Sequence, residues 1–125
     1  MEQTINEIEI NGVKYIRKDS IESNILAPQL DGMDFCMVRT YSAGVFFGYI
    51  KKREGTEVEM LKARRVYYWK GAATLSQLSQ EGTSCPNECK FPQEIERIIL
   101  TNVIEIDFIT DKAKTILNSV KIWKQ

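Results

Sequence analysis

Hydrophobic and polar residues change rhythm along this chain, and the changes divide it. Near the start, Ile8-Glu9-Ile10-Asn11-Gly12-Val13-Lys14-Tyr15-Ile16 places two short apolar/polar runs around Asn-Gly. That dipeptide favours a hairpin, because both residues tolerate the positive φ a tight turn needs. From Asp19 to Met33 the pattern dissolves into polar residues with Pro28 and Gly32. Residues 1–33 therefore read as a hairpin and linker appended to a core at 34–125.

The core opens with strands. Phe35 to Tyr41 alternates weakly, Ser42-Ala43-Gly44 is a tight connection, and Val45 to Lys51 is a second strand. Arg53-Glu54-Gly55-Thr56 makes the next turn. Glu57 to Lys62 alternates cleanly, and Arg64 to Trp69 continues the sheet after a break at Ala63. This predicts an antiparallel meander. The period then changes. Ala72 to Leu78 suits a short helix ended by Gly82, and Thr83 to Pro92 is a loop. Ile98 to Phe108 is rich in β-branched residues, with Glu105 and Asp107 on its wet face. Thr110-Asp111 can cap a last helix carrying Ala113, Ile116, Leu117 and Val120 at helical spacing. The expected class is α+β: an antiparallel β-sheet meander with a short central helix and a C-terminal helix.

Composition narrows the function. The 125 residues carry 17 basic and 17 acidic side chains, a formal net charge of zero. A DNA or RNA polymer binder needs a positive surplus, so that class is set aside. No apolar run approaches the roughly 20 residues that span a bilayer, and Met1-Glu2-Gln3-Thr4 does not read as a signal peptide. Three cysteines, an odd number, fit a reducing cytosol better than a disulfide framework. Histidine is absent. The commonest general base and metal ligand is thereby missing, and the reading is a binding protein, not an enzyme, with no cofactor.

Four constellations could carry chemistry. Arg65, Tyr67 and Trp69 share one face if their segment is extended, as do Arg39 and Tyr41. Guanidinium groups beside aromatic rings suit a nucleotide, pairing phosphate and stacking on a base. The same pattern also serves a sheet whose aromatics pack and whose arginines snorkel to water. Trp69-Lys70-Gly71-Ala72-Ala73 leads a strand into a helix, where free N–H groups attract anions, although such a turn often needs a glycine for itself. Cys85 and Cys89 could begin a zinc site, but only Cys36 and carboxylates remain to complete it, so no metal is expected. Glu94, Glu96, Glu105 and Asp107 read as surface charge with neither nucleophile nor metal to serve.

Read together, the segments resemble a known family. Arg39-Thr40-Tyr41-Ser42-Ala43-Gly44-Val45-Phe46-Phe47-Gly48 resembles its early strand pair, and Ala63-Arg64-Arg65-Val66-Tyr67-Tyr68-Trp69-Lys70-Gly71-Ala72 its most distinctive stretch. Leu75-Ser76-Gln77-Leu78, Glu81-Gly82-Thr83, Phe91-Pro92 and Ile99-Leu100-Thr101-Asn102-Val103-Ile104-Glu105-Ile106 complete it. The family is the small phage proteins that include the first type of Thoeris anti-defence protein, sponges for cyclic ADP-ribose isomers. Tyr67 and Tyr68 stand where many members carry a second tryptophan or other bulky residue.

The resemblance implies a phage protein in the cytoplasm of an infected bacterium. It would bind a TIR-made cyclic ADP-ribose isomer intact, and some members also take cyclic oligonucleotides. It implies a homodimer or higher homo-oligomer with pockets between protomers. It places Arg39 and Arg65 near phosphate, with Arg64 as a second candidate, and Ser42, Ala43 and Gly44 in a loop close to the ligand. Trp69 and Phe91 would stack on or wall the base, while Gly71, Thr101 and Asn102 would give close backbone approach and polar contacts. Two alternatives stay open: an enzyme degrading such a signal, and a phage structural or protein-interaction domain with no small ligand.

Overall fold

A computed structural model describes residues 25–125; the predicted hairpin at Ile8 to Ile16 lies outside the described residues. Strands β1 (Asp34–Thr40), β2 (Val45–Glu54), β3 (Glu57–Arg65), β4 (Ile95–Leu100) and β5 (Val103–Phe108) form one antiparallel sheet in the order β4-β3-β2-β1-β5. Helix α1 (Leu75–Glu81) lies between β3 and β4, and α2 (Asp111–Asn118) follows β5. The α+β meander with a central and a C-terminal helix is the one the sequence predicts.

The strand order forces the sheet to curl. β4 and β5 hold opposite edges, which in a flat sheet lie about 19 Å apart at about 4.8 Å per strand. Only Thr101 and Asn102 join them, a link that reaches about 10 Å when extended. The two edges must therefore approach, giving a partly closed barrel. One backbone bond marks the closure, Val103 N–H donating to the Thr56 carbonyl at 3.0 Å, while Tyr41 N–H to the Asn102 carbonyl at 2.9 Å continues the β1–β5 pairing. The bend is taken up between β2 and β3, whose pairing shifts register between Phe47 and Tyr49 and again between Ile50 and Lys52. Gly48 sits at the first shift. A Cβ there would stand 2.8 Å from both Ala63 Cα and the Lys62 carbonyl oxygen, so only glycine lets the strands cross this closely.

Both sheet faces are buried. Val38, Phe46, Val58, Met60, Ala63, Leu100 and Val103 fill the inside of the curl. Phe35, Met37, Phe47 and Tyr49 lie on the outer face, under Leu78, Phe91, Ala113, Leu117 and Val120. This is why Phe35-Cys36-Met37-Val38 alternates so weakly: neighbouring residues point into different cores, and a strand buried twice reads as a continuous apolar run.

Local chemistry sets the helix ends. Thr74 caps α1 by accepting the Gln77 N–H at 3.1 Å, so the helix starts at Leu75 rather than Ala72. Gly82 ends it with φ 79°, as expected of a terminating glycine. Thr110 caps α2 through the Ala113 N–H and donates its hydroxyl to the Gln80 carbonyl at 2.7 Å, tying the helices together.

Three other expectations change. β3 ends at Arg65, and Tyr68 instead bridges to Lys90. The β-branched stretch at 98–108 is two strands, split where Asn102 takes φ 56°. Residues 25–33 pack on the core: Ala27 is buried in the outer cluster and its N–H donates to the Ile109 carbonyl at 2.9 Å.

Candidate functional site

The barrel closure builds the site. The turn after β1 (Tyr41 to Gly44) and the β4–β5 turn (Thr101, Asn102) are held together by the Tyr41–Asn102 backbone bond. The first turn is tight because the Thr40 hydroxyl donates to the Gly44 carbonyl at 2.9 Å and accepts the Ala43 N–H at 2.8 Å. Gly44 has φ 96°, a conformation that disfavours any side chain. Ser42, Ala43, Gly44, Thr101 and Asn102 are exposed, and the Tyr41 ring is 80% exposed. The family resemblance implies these turn residues lie near one ligand, and the topology brings them to one end of the barrel.

Arg39 and Arg65 flank this end from opposite faces. Arg39 belongs to the Phe35–Met37 series that faces the outer core, and it pairs with Val45 across β2. Arg65 pairs with Phe46, an inner-core residue, and its guanidinium lies 4.5 Å from the centre of that ring. The next residue is tied to the same point, since Val66 N–H donates to the Val45 carbonyl at 2.8 Å. Both arginines therefore lie beside the β1–β2 turn, but alternation keeps them from one sheet face.

Arg39 is half exposed and reaches Glu105 at 3.3 Å. Such a surface pair is worth about 0–1 kcal/mol, so an incoming phosphate can replace it at little cost. Glu105 also lies beside Asp107, and the predicted wet face is only half true: both are half-buried, while Ile104 and Phe108 are exposed. Asp107 Oδ2 is enclosed with no hydrogen-bond partner among the described residues. Burial first, then the Glu105 carboxylate, pushes the Asp107 carboxyl up to about 6. Glu105 moves the other way, held below the usual carboxylate range by its hydrogen bond with Asp107 and then by Arg39.

Four of the residues expected at the ligand belong elsewhere. Arg64 is buried, and its guanidinium donates to the carbonyls of Phe91, Pro92, Val120 and Lys121 at 2.8 to 3.3 Å. Its donors hold the C-terminal segment and cannot serve a phosphate without releasing it. Phe91 is fully buried, edge-on to Phe47 with ring centres 5.4 Å apart, so no base can reach its face. Trp69 packs half-buried on the outer core and donates its indole N–H to the Ala72 carbonyl at 3.1 Å. Gly71 does give close approach, but to the chain itself: a Cβ would meet Thr83 Oγ1 and the N–H groups of Ser84 and Cys85. Lys70, the possible point charge there, pairs with Glu88 at 3.0 Å.

Sequence reasoning missed one aromatic feature. Tyr67 leaves the sheet and stacks on Trp123 at 4.8 Å, with the Lys90 ammonium over the Tyr68 and Trp123 rings. Trp123 is fixed by its N–H to the Phe91 carbonyl at 2.9 Å. The only hint was the run Ile122-Trp123, two large apolar residues at the chain's end.

These features define a small α+β barrel with a turn-lined, arginine-flanked end. The chain belongs to the family described as a domain of unknown function (DUF6948), whose model matches residues 33–117. No curated protein and no solved structure matches it. Among the described residues, no helix is long and apolar enough to cross a membrane.

Proposed function

We propose that this protein captures a TIR-made cyclic ADP-ribose isomer, intact, at the turn-lined end of the barrel, and so withholds it from a Thoeris effector. In this reading it is a phage counter-defence sponge acting in the cytoplasm of the infected host as a homo-oligomer, with cyclic oligonucleotides as a possible wider ligand class. The observation that supports it is that an exposed Tyr41 ring, a half-exposed Arg39 and the exposed backbone of two tied turns lie at one end of the sheet. A stacking face, a bidentate phosphate donor and close backbone approach are what an adenine nucleotide needs. The resemblance of Arg39 to Gly48 and of Ala63 to Ala72 to the sponge family supplies the specific ligand. Capture needs no bond cleavage, which suits a chain without histidine.

The test mixes the purified protein with the product of a Thoeris TIR enzyme, filters it, heats the protein and identifies what is released by mass spectrometry. Intact cyclic ADP-ribose is expected, with Arg39→Gln capturing about tenfold less or lower still, the value of a charged hydrogen bond. A cleaved product means an enzyme. No captured ligand returns the reading to a protein-interaction domain. One observation favours that second reading: both sheet faces are filled, so a ligand has no sheet surface to stack on and must use the turns alone.

A further inference from the structure

A second concave surface lies away from the turns, between the outer sheet face and α2. It is a groove of about 430 Å³, within the roughly 300–1,000 Å³ of small-molecule sites. Phe35, Phe47 and Tyr49 form its floor, meeting edge to face with ring centres 5.0 and 6.0 Å apart. Leu30 and Ile122 stand at its sides, and Lys62, Arg64, Glu94 and Lys114 supply its charge. Lys62 is within 3.8 Å of Glu96 outside the groove, so Arg64 and Lys114 against Glu94 leave it slightly basic as well as apolar.

Lys114 is the informative residue. Its ammonium lies 5.2 Å from the Phe35 ring centre and 5.4 Å from that of Tyr49, and it donates to the Tyr49 hydroxyl at 2.8 Å. Among the described residues no carboxylate lies within ion-pair distance of it. Ring faces and a phenol oxygen solvate the ammonium but leave its charge unneutralised. Two of its N–H groups have no acceptor among the described residues, and Tyr49, accepting from Lys114, keeps its own O–H to donate. N–H and O–H donors thus converge at one end of an aromatic floor. Arg64 adds mainly field, since four of its five N–H donors are spent on carbonyls.

We propose that this groove binds a small organic anion. Its phosphate or carboxylate head would sit on Lys114 Nζ and Tyr49 Oη, and its apolar body against the exposed Leu30 and Ile122 side chains, since Phe35 and Phe47 are covered. Glu94 excludes a second negative group at the far end. The site is independent of the turn-lined end, because Arg39 does not line it.

The test is an NMR titration of the full chain with phenyl phosphate, benzoate and inorganic phosphate, reading the Lys114 and Tyr49 side-chain signals. Saturable shifts with phenyl phosphate or benzoate are expected, the tighter of the two naming the head group. Inorganic phosphate should bind at least about tenfold more weakly, lacking a body to bury. Lys114→Gln should weaken the organic anion about tenfold or more. Tyr49→Phe, which keeps the ring, should weaken it several-fold and decides the matter if Lys114→Gln does not fold. Arg39→Gln should change nothing here, which separates this site from the sponge reading. The proposal is overturned if neither organic anion shifts these signals. It is also overturned if the folded variants bind as well as the parent chain, or if inorganic phosphate binds as tightly as phenyl phosphate.

Discussion

Arg64 and Arg39 are both strand arginines beside an aromatic-rich sheet, and they lead opposite lives. Arg64 is buried between Phe47 and Phe91, with its fork closed by carbonyls from two distant segments. Arg39 stands half in water with one half-buried carboxylate for company. Burial lowers the affinity of Arg64 for its proton, yet guanidinium is so basic that it stays charged and satisfied by carbonyl dipoles. The comparison teaches that an arginine's role is set by what its face meets. Saturated donors make a structural clamp, and weakly engaged donors leave a binding group. Each variant below is a way to break or sharpen that contrast.

The largest effect on stability belongs to Arg64→Ala. It removes hydrogen bonds to the carbonyls of Phe91, Pro92, Val120 and Lys121 and leaves a gap between two rings. A loss of about 3 kcal/mol in urea unfolding is expected, from unsatisfied buried groups and lost packing. A loss under about 1 kcal/mol would mean that the C-terminal segment holds itself in place, and the clamp description would be wrong.

Trp123→Ala tests the other end of that clamp. The Tyr67–Trp123 stack and the Lys90 contact go, while the Arg64 bonds to Val120 and Lys121 remain. The expected cost is about 1 kcal/mol. Faster amide exchange confined to the residues after Lys121 is the accompanying sign. Global loosening instead would show that the stack, not Arg64, anchors the segment.

Asp107→Asn sharpens the Arg39 side through pH. The Asp107 carboxyl is raised from its ordinary 3.8 to about 6, so the folded chain holds this proton more tightly than the unfolded chain. Its stabilising contribution is present below the unfolded value and is lost as pH rises through about 6. Stability from this group therefore falls between about pH 4 and 6. Glu105, shifted down, acts at lower pH: its contribution is lost as pH falls through its depressed value. Asp107→Asn should flatten the fall between about pH 4 and 6 and raise the denaturation midpoint at pH 7. An unchanged slope would show that Asp107 titrates as in the unfolded chain.

The contrast also explains what was legible. The turns after β1 and β2, the Gly82 stop and the Thr110 cap follow from local chemistry, which spacing encodes. Ser42-Ala43-Gly44 reads as a turn from its small residues and glycine, while Thr101 and Asn102 entered the site only through the family resemblance, their turn being hidden in a β-branched run. Arg64 and Phe91 misled because their partners lie 27 or more residues away, and backbone carbonyls have no sequence signature. That Arg39 and Arg65 face opposite ways depends on register, and one extra residue at the Lys62 bulge reverses every side chain after it. The groove was invisible for a related reason. Lys62, Tyr49 and Lys114 come from β3, β2 and α2, and the packing of α2 on the outer sheet face brings them to one surface.

Arg39→Gln closes the comparison from the opposite side to Arg64→Ala. It breaks one exposed ion pair, so unfolding free energy should move by less than about 0.5 kcal/mol. Glu105 would lose a partner and Asp107 would face a less stabilised carboxylate, so the small change should be a loss and should shrink as salt is added. The same substitution at position 64 should cost well over a kilocalorie. If the two glutamine variants were equally stable, burial would not separate the arginines. Arg39 would then be as structural as Arg64, and the proposal of a ligand at the turn-lined end would lose its phosphate-pairing residue.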